Sequence, residues 1–141
     1  MSSKRAGFTL IEIMLVITIL AIIAALMFPN FIRARLNANE AAAVHAVRSL
    51  STALESYRAA QSPPDYPAVL TDLSAATPSY VDAAWTNGQK QGYQFTYAQV
   101  SANQYTLTAT PVTANVTGTR VFFVDETGVI RLTNAAGAAI E

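Results

Sequence analysis

Glu12 is the residue with the most chemistry to account for. From Phe8 to Phe28 the only polar side chains are Thr9, Glu12 and Thr18, and Pro29 follows. The acid therefore sits one turn into an apolar run. An ionised carboxylate left unpaired in hydrocarbon costs several kcal/mol, so it must be paired, protonated or functional. Other chemistry-bearing residues are sparse. His45 is the single histidine, with no Ser, Cys or second His beside it to build a catalytic or zinc constellation. Asp125-Glu126-Thr127-Gly128 lacks the several spaced oxygen ligands of a calcium loop and reads as a hairpin turn. Asn115-Val116-Thr117 fits an N-glycosylation pattern. No catalytic residue, metal ligand or cofactor site is assigned, and the chain is read as a non-enzyme.

The elements that position Glu12 follow from the same run. About 20 apolar residues in a helix cross the roughly 30 Å hydrocarbon core of a bilayer. Lys4 and Arg5 precede the run and are the basic flank expected on the cytoplasmic side. A secretory signal peptide would end in a small-x-small site after 7–15 apolar residues; this run is longer and has no such site behind it.

Lys4-Arg5-Ala6-Gly7-Phe8-Thr9-Leu10-Ile11-Glu12 resembles the processing site of the type IV pilin family, including the pseudopilins of type II secretion. It combines a short basic leader, Gly before the cut, Phe after it, a Thr, and Glu fifth in the mature chain. Pro29 matches a proline common in the family. The likeness is specific over residues 4 to 35 and architectural beyond. It implies cleavage between Gly7 and Phe8 by a prepilin peptidase, N-methylation of Phe8, and filament assembly through Phe8, Glu12 and Pro29. In related filaments the new α-amino group and the Glu of a neighbouring subunit compensate each other. The implied partners are further copies in a helical filament, the peptidase, the pilus assembly machinery and, for the precursor, the inner membrane. The filament would end outside the cell.

The expected fold is α+β: a long N-terminal helical spine and a four-stranded antiparallel head. Residues 1–7 are the leader, 8–29 the membrane-spanning and assembly helix, and 30–61 its amphipathic continuation. Leu36, Ala43, Val47, Leu50, Leu54 and Tyr57 form one stripe along that continuation. Taken as continuous, residues 8–60 span about 80 Å. Pro29 lacks an N–H and opposes the carbonyl of Ala25, so a kink or local opening is expected there. Ser62-Pro63-Pro64 ends the helix. Residues 62–91 form a connector, with a helical turn at 69–73 and Tyr66, Tyr80, Val81 and Trp85 pinning it down. Residues 92–133 read as strands at Tyr93–Ala98, Tyr105–Thr110, Arg120–Val124 and Val129–Leu132. The tail, 134–141, frays or closes a sheet edge.

Composition narrows the function classes. The chain has no cysteine, which removes thiol chemistry, a lipid-linked N-terminus and the disulfide many type IV pilins carry. Loss of Lys4 and Arg5 leaves seven basic against nine acidic side chains. The remaining cations are scattered from Arg33 to Arg131, so no nucleic-acid contact is inferred. Phe8, Phe28, Phe31 and Tyr57 along the helix read as packing, not as a conducting path. The function expected is a major structural subunit of a type IV pilus; the alternative is a pseudopilin or minor pilin of a type II secretion system. A third reading, a single-pass anchored binding module that never polymerises, leaves the Glu12 motif unexplained.

Overall fold

The computed structural model describes residues 7–133 and 136–140, apart from residue 86 and the side chain of Ala84. Most of the leader, with Lys4 and Arg5, lies outside the described residues, as do 134, 135 and 141. The chain divides into two compact units, Met1–Ala34 and Arg35–Glu141. Helix α1 (Leu10–Ala60) supplies residues to both.

In the first unit the helix begins two residues later than the apolar run suggests. Thr9 is the reason. Its Oγ1 accepts the backbone N–H of Glu12 at 3.2 Å, and its carbonyl accepts the N–H of Ile13. Thr9 thus acts as the N-cap, satisfying a donor that would otherwise have no partner in the first turn. Thr18 returns its hydroxyl to the carbonyl of Met14 at 2.7 Å, so its polar group is spent inside the helix. The helical assignment continues through Pro29 without a break. The local opening expected there is absent from the assignment, although Pro29 has no N–H to give the Ala25 carbonyl.

In the second unit α1 is amphipathic, burying Ala43, Ala46, Val47, Leu50, Ala53 and Leu54 on one face. These recur at three- and four-residue spacings, and the alanines let other chain segments approach closely. Leu36 and Tyr57, at the ends of the expected stripe, are only half-buried. The helix stops at Ala60, ahead of Pro63-Pro64.

Five strands follow, one more than expected: β1 (Gln89–Lys90), β2 (Tyr93–Ser101), β3 (Gln104–Pro111), β4 (Phe122–Asp125) and β5 (Arg131–Leu132). Their spatial order is their sequence order, all antiparallel. The additional strand is β1. Lys90 pairs with Tyr93 across the two-residue turn Gln91-Gly92, and both turn residues have positive φ, 50° and 79°. That is the mirror-image turn that matches strand twist, and glycine makes its second position cheap. Strand β4 starts at Phe122 and not at Arg120, because Arg120 is held elsewhere. Strand β5 is shorter than expected for the same kind of reason: Ile130 is buried and its carbonyl takes the N–H of Ile140. That bond, with Leu132 N–H to Ala138 O, lays the tail along the sheet edge.

Alternation buries Tyr93 and Phe95 of β2, Tyr105, Leu107 and Ala109 of β3, and Phe122 and Val124 of β4 against the alanine-rich helix face. The connector is pinned as expected. Its short helix α2 (Thr71–Ala75) buries Leu73, and Tyr66 and Trp85 are buried with it. Tyr97 donates to the Pro67 carbonyl at 2.6 Å, and Gln99 to the Tyr66 carbonyl at 2.9 Å. Burial pushes the Tyr93 and Tyr105 phenols up to about 12, so both serve as neutral hydrogen-bonding groups at any ordinary pH.

Candidate functional site

The residues singled out for assembly all lie in the first unit. Gly7 and Phe8 precede the helix, Thr9 caps it, Glu12 occupies its first turn, and Pro29 lies far along it. A Cβ built on Gly7 meets nothing within 4 Å, so nothing in this fold asks for glycine at that position. Phe8 is 78% exposed. The Glu12 side chain is exposed, and among the described residues none pairs with its carboxylate. The helix passes the length and composition test for a membrane span, and none of its apolar window is buried within the chain.

That combination dictates what the segment can do. A helix apolar on all sides is stable only in lipid or packed among other helices. A carboxylate moved into such apolar surroundings needs a cation or donor beside it, and Glu12 is the acid of this segment. Thr9 and Glu12 are also the first and fourth residues of a Thr-x-x-Glu capping pattern. The structure uses half of it, from Thr9 Oγ1 to the Glu12 N–H. Among the described residues the carboxylate does not complete the other half by folding back onto the Thr9 N–H. The Thr9-Leu10-Ile11-Glu12 spacing is the sequence signal of this cap.

A second acid was not singled out by its sequence position. Glu40 lies on α1 beyond the apolar run, in the second unit, and is 3% exposed. One carboxylate oxygen accepts the Thr119 N–H at 2.8 Å and the Thr119 hydroxyl at 2.6 Å; the other accepts Nε of Arg120 at 2.6 Å. Beside it, Asn39 donates to the Thr117 carbonyl at 2.9 Å. The Tyr93 phenol donates to the Arg120 carbonyl, and the Arg120 guanidinium lies over Phe122. This clamp ties the long β3–β4 loop to the helix. Burial pushes the Glu40 carboxyl upward, but the Thr119 donors and the Arg120 charge outweigh it and hold the group below its ordinary range. Gly118 belongs to the same arrangement: a Cβ there would stand 2.1 Å from the Tyr93 hydroxyl.

The remaining candidates resolve into local structure. Asp125 accepts the N–H and hydroxyl of Thr127 and pairs with Arg131 at 3.0 Å, while Gly128 adopts φ 71°. That is a closed hairpin turn whose carboxylate oxygens are occupied. Among the described residues no three of His, Cys, Asp or Glu gather as metal ligands. His45 is exposed on α1, in a shallow groove with Ser49, Tyr80 and Lys90.

Comparison with known proteins places these features. Residues 2–28 match the family model described as the prokaryotic N-terminal methylation motif. Residues 29–119, more than half of the chain, match the model described as type IV minor pilin ComP, DNA uptake sequence receptor. The chain is 39% identical to type II secretion system core protein G of Escherichia coli K12 over 57 residues, 40% of this chain and 39% of that protein. It is 32% identical to the Vibrio cholerae protein of the same name over 90 residues, covering 64% and 60%. It is 39% identical to the type IV major pilin protein PilA of Myxococcus xanthus over 54 residues, 38% of this chain and 24% of that one. The chain thus spans less than two thirds of the length of the curated relatives it matches. No solved structure matches.

Proposed function

Because the chain belongs to the type IV pilin and pseudopilin family, we propose that it is the major structural subunit of a type IV pilus. In this reading it is inserted in the inner membrane as a precursor, cut between Gly7 and Phe8, methylated at Phe8 and polymerised through its N-terminal helix. The observation that carries the proposal is the unburied apolar helix with a single acid in its first turn. Leaving lipid is offset when the same surface is buried among neighbouring helices, and small residues such as Ala21, Ala24 and Ala25 permit close contact. The Glu12 carboxylate would then meet the new α-amino group of a neighbour. A register that separates the two leaves both charges uncompensated.

A second reading, pseudopilin or minor pilin, is favoured by the relatives named type II secretion core protein G and by the minor-pilin description of the matched family. On the head Arg58 bonds Asn103, Lys90 lies over Trp85, and Arg120 and Arg131 are paired with acids, so these four are not arrayed for phosphates.

Mass spectrometry of filaments sheared from cells, with electron microscopy of the same sample, separates the readings. Long fibres dominated by a chain running from methylated Phe8 to Glu141 are expected. A mature chain found only in membranes would put the secretion reading first. Retention of residues 1–7 in cells with active prepilin peptidase would overturn both.

Gly7 gives a sharper test. Since its Cβ position is empty, Gly7→Leu is expected to leave the unfolding of the head unchanged within about 0.5 kcal/mol. The same variant is expected to accumulate as uncleaved precursor, seen as a mass increase in the membrane fraction. Normal cleavage of Gly7→Leu would remove glycine from the recognition element.

A further inference from the structure

We propose that the groove on the head between α1, the connector and β1 binds an acidic sugar through its carboxylate, as a uronate unit of a polysaccharide. The inference goes beyond filament assembly and holds for the pilus and the secretion readings alike.

Three observations carry it. The first is convergence. His45 and Ser49 of α1, Tyr80 of the connector, and Lys90 and Gln91 at the β1 turn line one open groove of about 520 Å³. All five belong to the second unit. Among the described residues, none of their side chains makes a hydrogen bond or ion pair within the chain. Ser49 differs here from Thr18, Thr52 and Ser56, whose hydroxyls return to carbonyls one turn back along α1. Several polar groups from separate segments, facing one concavity with their bonding capacity unspent, are what a ligand site offers.

The second is charge. The lining holds no carboxylate, and its nitrogen donors include Lys90 and His45. The Lys90 ammonium lies 4.6 Å from the centre of the Trp85 ring, which holds it in place without neutralising it. Glu40, on the same helix, is committed to Thr119 and Arg120, and Arg48 and Asp82 have contacts of their own. The groove therefore favours an anion. One ammonium is too little for a string of phosphates and sufficient for one carboxylate.

The third is the apolar part of the lining. Ala42, Ala46 and Val81 are small and lie beside the polar groups. The C–H face of a pyranose ring can rest on such side chains while its hydroxyls meet Ser49, Tyr80 and Gln91. An acidic peptide bound as an extended strand needs main-chain partners, and α1 has spent its own within the helix. The walls are also preformed. Trp85 packs edge-on against Phe95 at 5.1 Å and Tyr80 against Tyr57 at 5.7 Å, and the Tyr80 N–H bonds the Leu73 carbonyl. Little side-chain entropy remains to be lost when a ligand enters.

Trp85 is the single tryptophan of the chain and lines the groove, so its emission reports on the site itself. The full chain, in a neutral detergent without a sugar headgroup, would be titrated with trimers of galacturonate, glucuronate and mannuronate. Calorimetry reads affinity and Trp85 emission reads location. The expected result is that at least one trimer binds and shifts Trp85, with its carboxyl-reduced neutral counterpart about tenfold weaker or worse. Lys90→Gln should lose about the same factor and Lys90→Arg should restore most of it. Ser49→Ala, an exposed change that favours helix, should weaken binding a few-fold with the head still folded. Equal binding of the reduced trimer, or unchanged affinity in Lys90→Gln, overturns the carboxylate contact. Triglutamate bound as tightly overturns the sugar in favour of an acidic peptide. Heat without a change at Trp85 places the ligand elsewhere, and no binding of any uronate overturns the site.

Discussion

Glu12→Ala is expected to be cleaved and methylated normally but to yield almost no sheared filament. In the proposed processing the cut falls between Gly7 and Phe8, so removing the Glu12 carboxylate leaves the bond itself untouched. Once the cut is made, each added subunit brings a new α-amino group into apolar surroundings with nothing to compensate it. Breaking a buried charge pair by removing one partner typically costs about 3–5 kcal/mol, and 3 kcal/mol is already roughly a hundredfold in the affinity of each addition. Glu12→Gln should recover little, since an amide can hydrogen-bond the amine but not neutralise it. Quantitative immunoblots of sheared and membrane fractions check both variants. Abundant, regular fibres from Glu12→Ala would remove the acid from the assembly mechanism. Thr9→Ala serves as the contrast. It loses the cap on the Glu12 N–H, worth about 1 kcal/mol, and leaves the charge in place, so its filament yield should fall far less.

The second large effect concerns the head. Glu40→Ala strips the acceptor from the Thr119 N–H, the Thr119 hydroxyl and Arg120 Nε together. A loss of about 2–3 kcal/mol is expected. It stays below that of a fully buried pair because the Arg120 side chain is 49% exposed and keeps part of its hydration. Chemical unfolding of the full chain in detergent, followed by the fluorescence of the buried Trp85, reads the change. The pH dependence follows from the same contacts. Glu40 titrates lower in the folded head than its ordinary value of 4.5, so the unfolded chain binds its proton first as pH falls. Its contribution is therefore complete above about 4.5 and is lost as pH drops below that, through the depressed folded value. Asp125, held low in the folded head by Thr127 and Arg131, is lost in the same direction. Glu40→Ala should accordingly flatten the acid limb of the stability curve. An unchanged acid limb would mean that the clamp contributes nothing to folding.

The sequence makes some of this legible and hides the rest for definite reasons. The apolar run, the helical stripe from Ala43 to Leu54 and the alternation of β2 and β3 are long enough for periodicity to identify them. β1 is not, because two residues carry no period and Gln91-Gly92 is an unadvertised turn. Arg120 and Val121 read as strand on β-propensity, yet the chain there turns its polar groups to Glu40 and Tyr93. Tertiary partners outrank local preference at that point. Glu40 itself looks like any acid on an amphipathic helix, and its partners lie 79 and 80 residues away. No local pattern announces such a pair. The Thr9-x-x-Glu12 cap was the reverse case, a local signature in plain view. Over residues 8–32 the fold adds little to the sequence, since among the described residues these exposed side chains meet no tertiary partner.

The strand order has a consequence in time. Every strand pairs with its neighbour in sequence, so the sheet can grow by short loop closures, the kind of topology that folds quickly. With no cysteine, no oxidation step governs the rate. The contacts of Glu40 with Thr119 and Arg120 close loops of 79 and 80 residues, and such long-range contacts are made late, after the pairing that brings their ends together. Interactions absent from the transition state govern how long a folded molecule lasts and not how fast it forms. The stability lost in Glu40→Ala should therefore surface as faster unfolding with little change in the folding rate, and the clamp acts as a latch on the lifetime of the head.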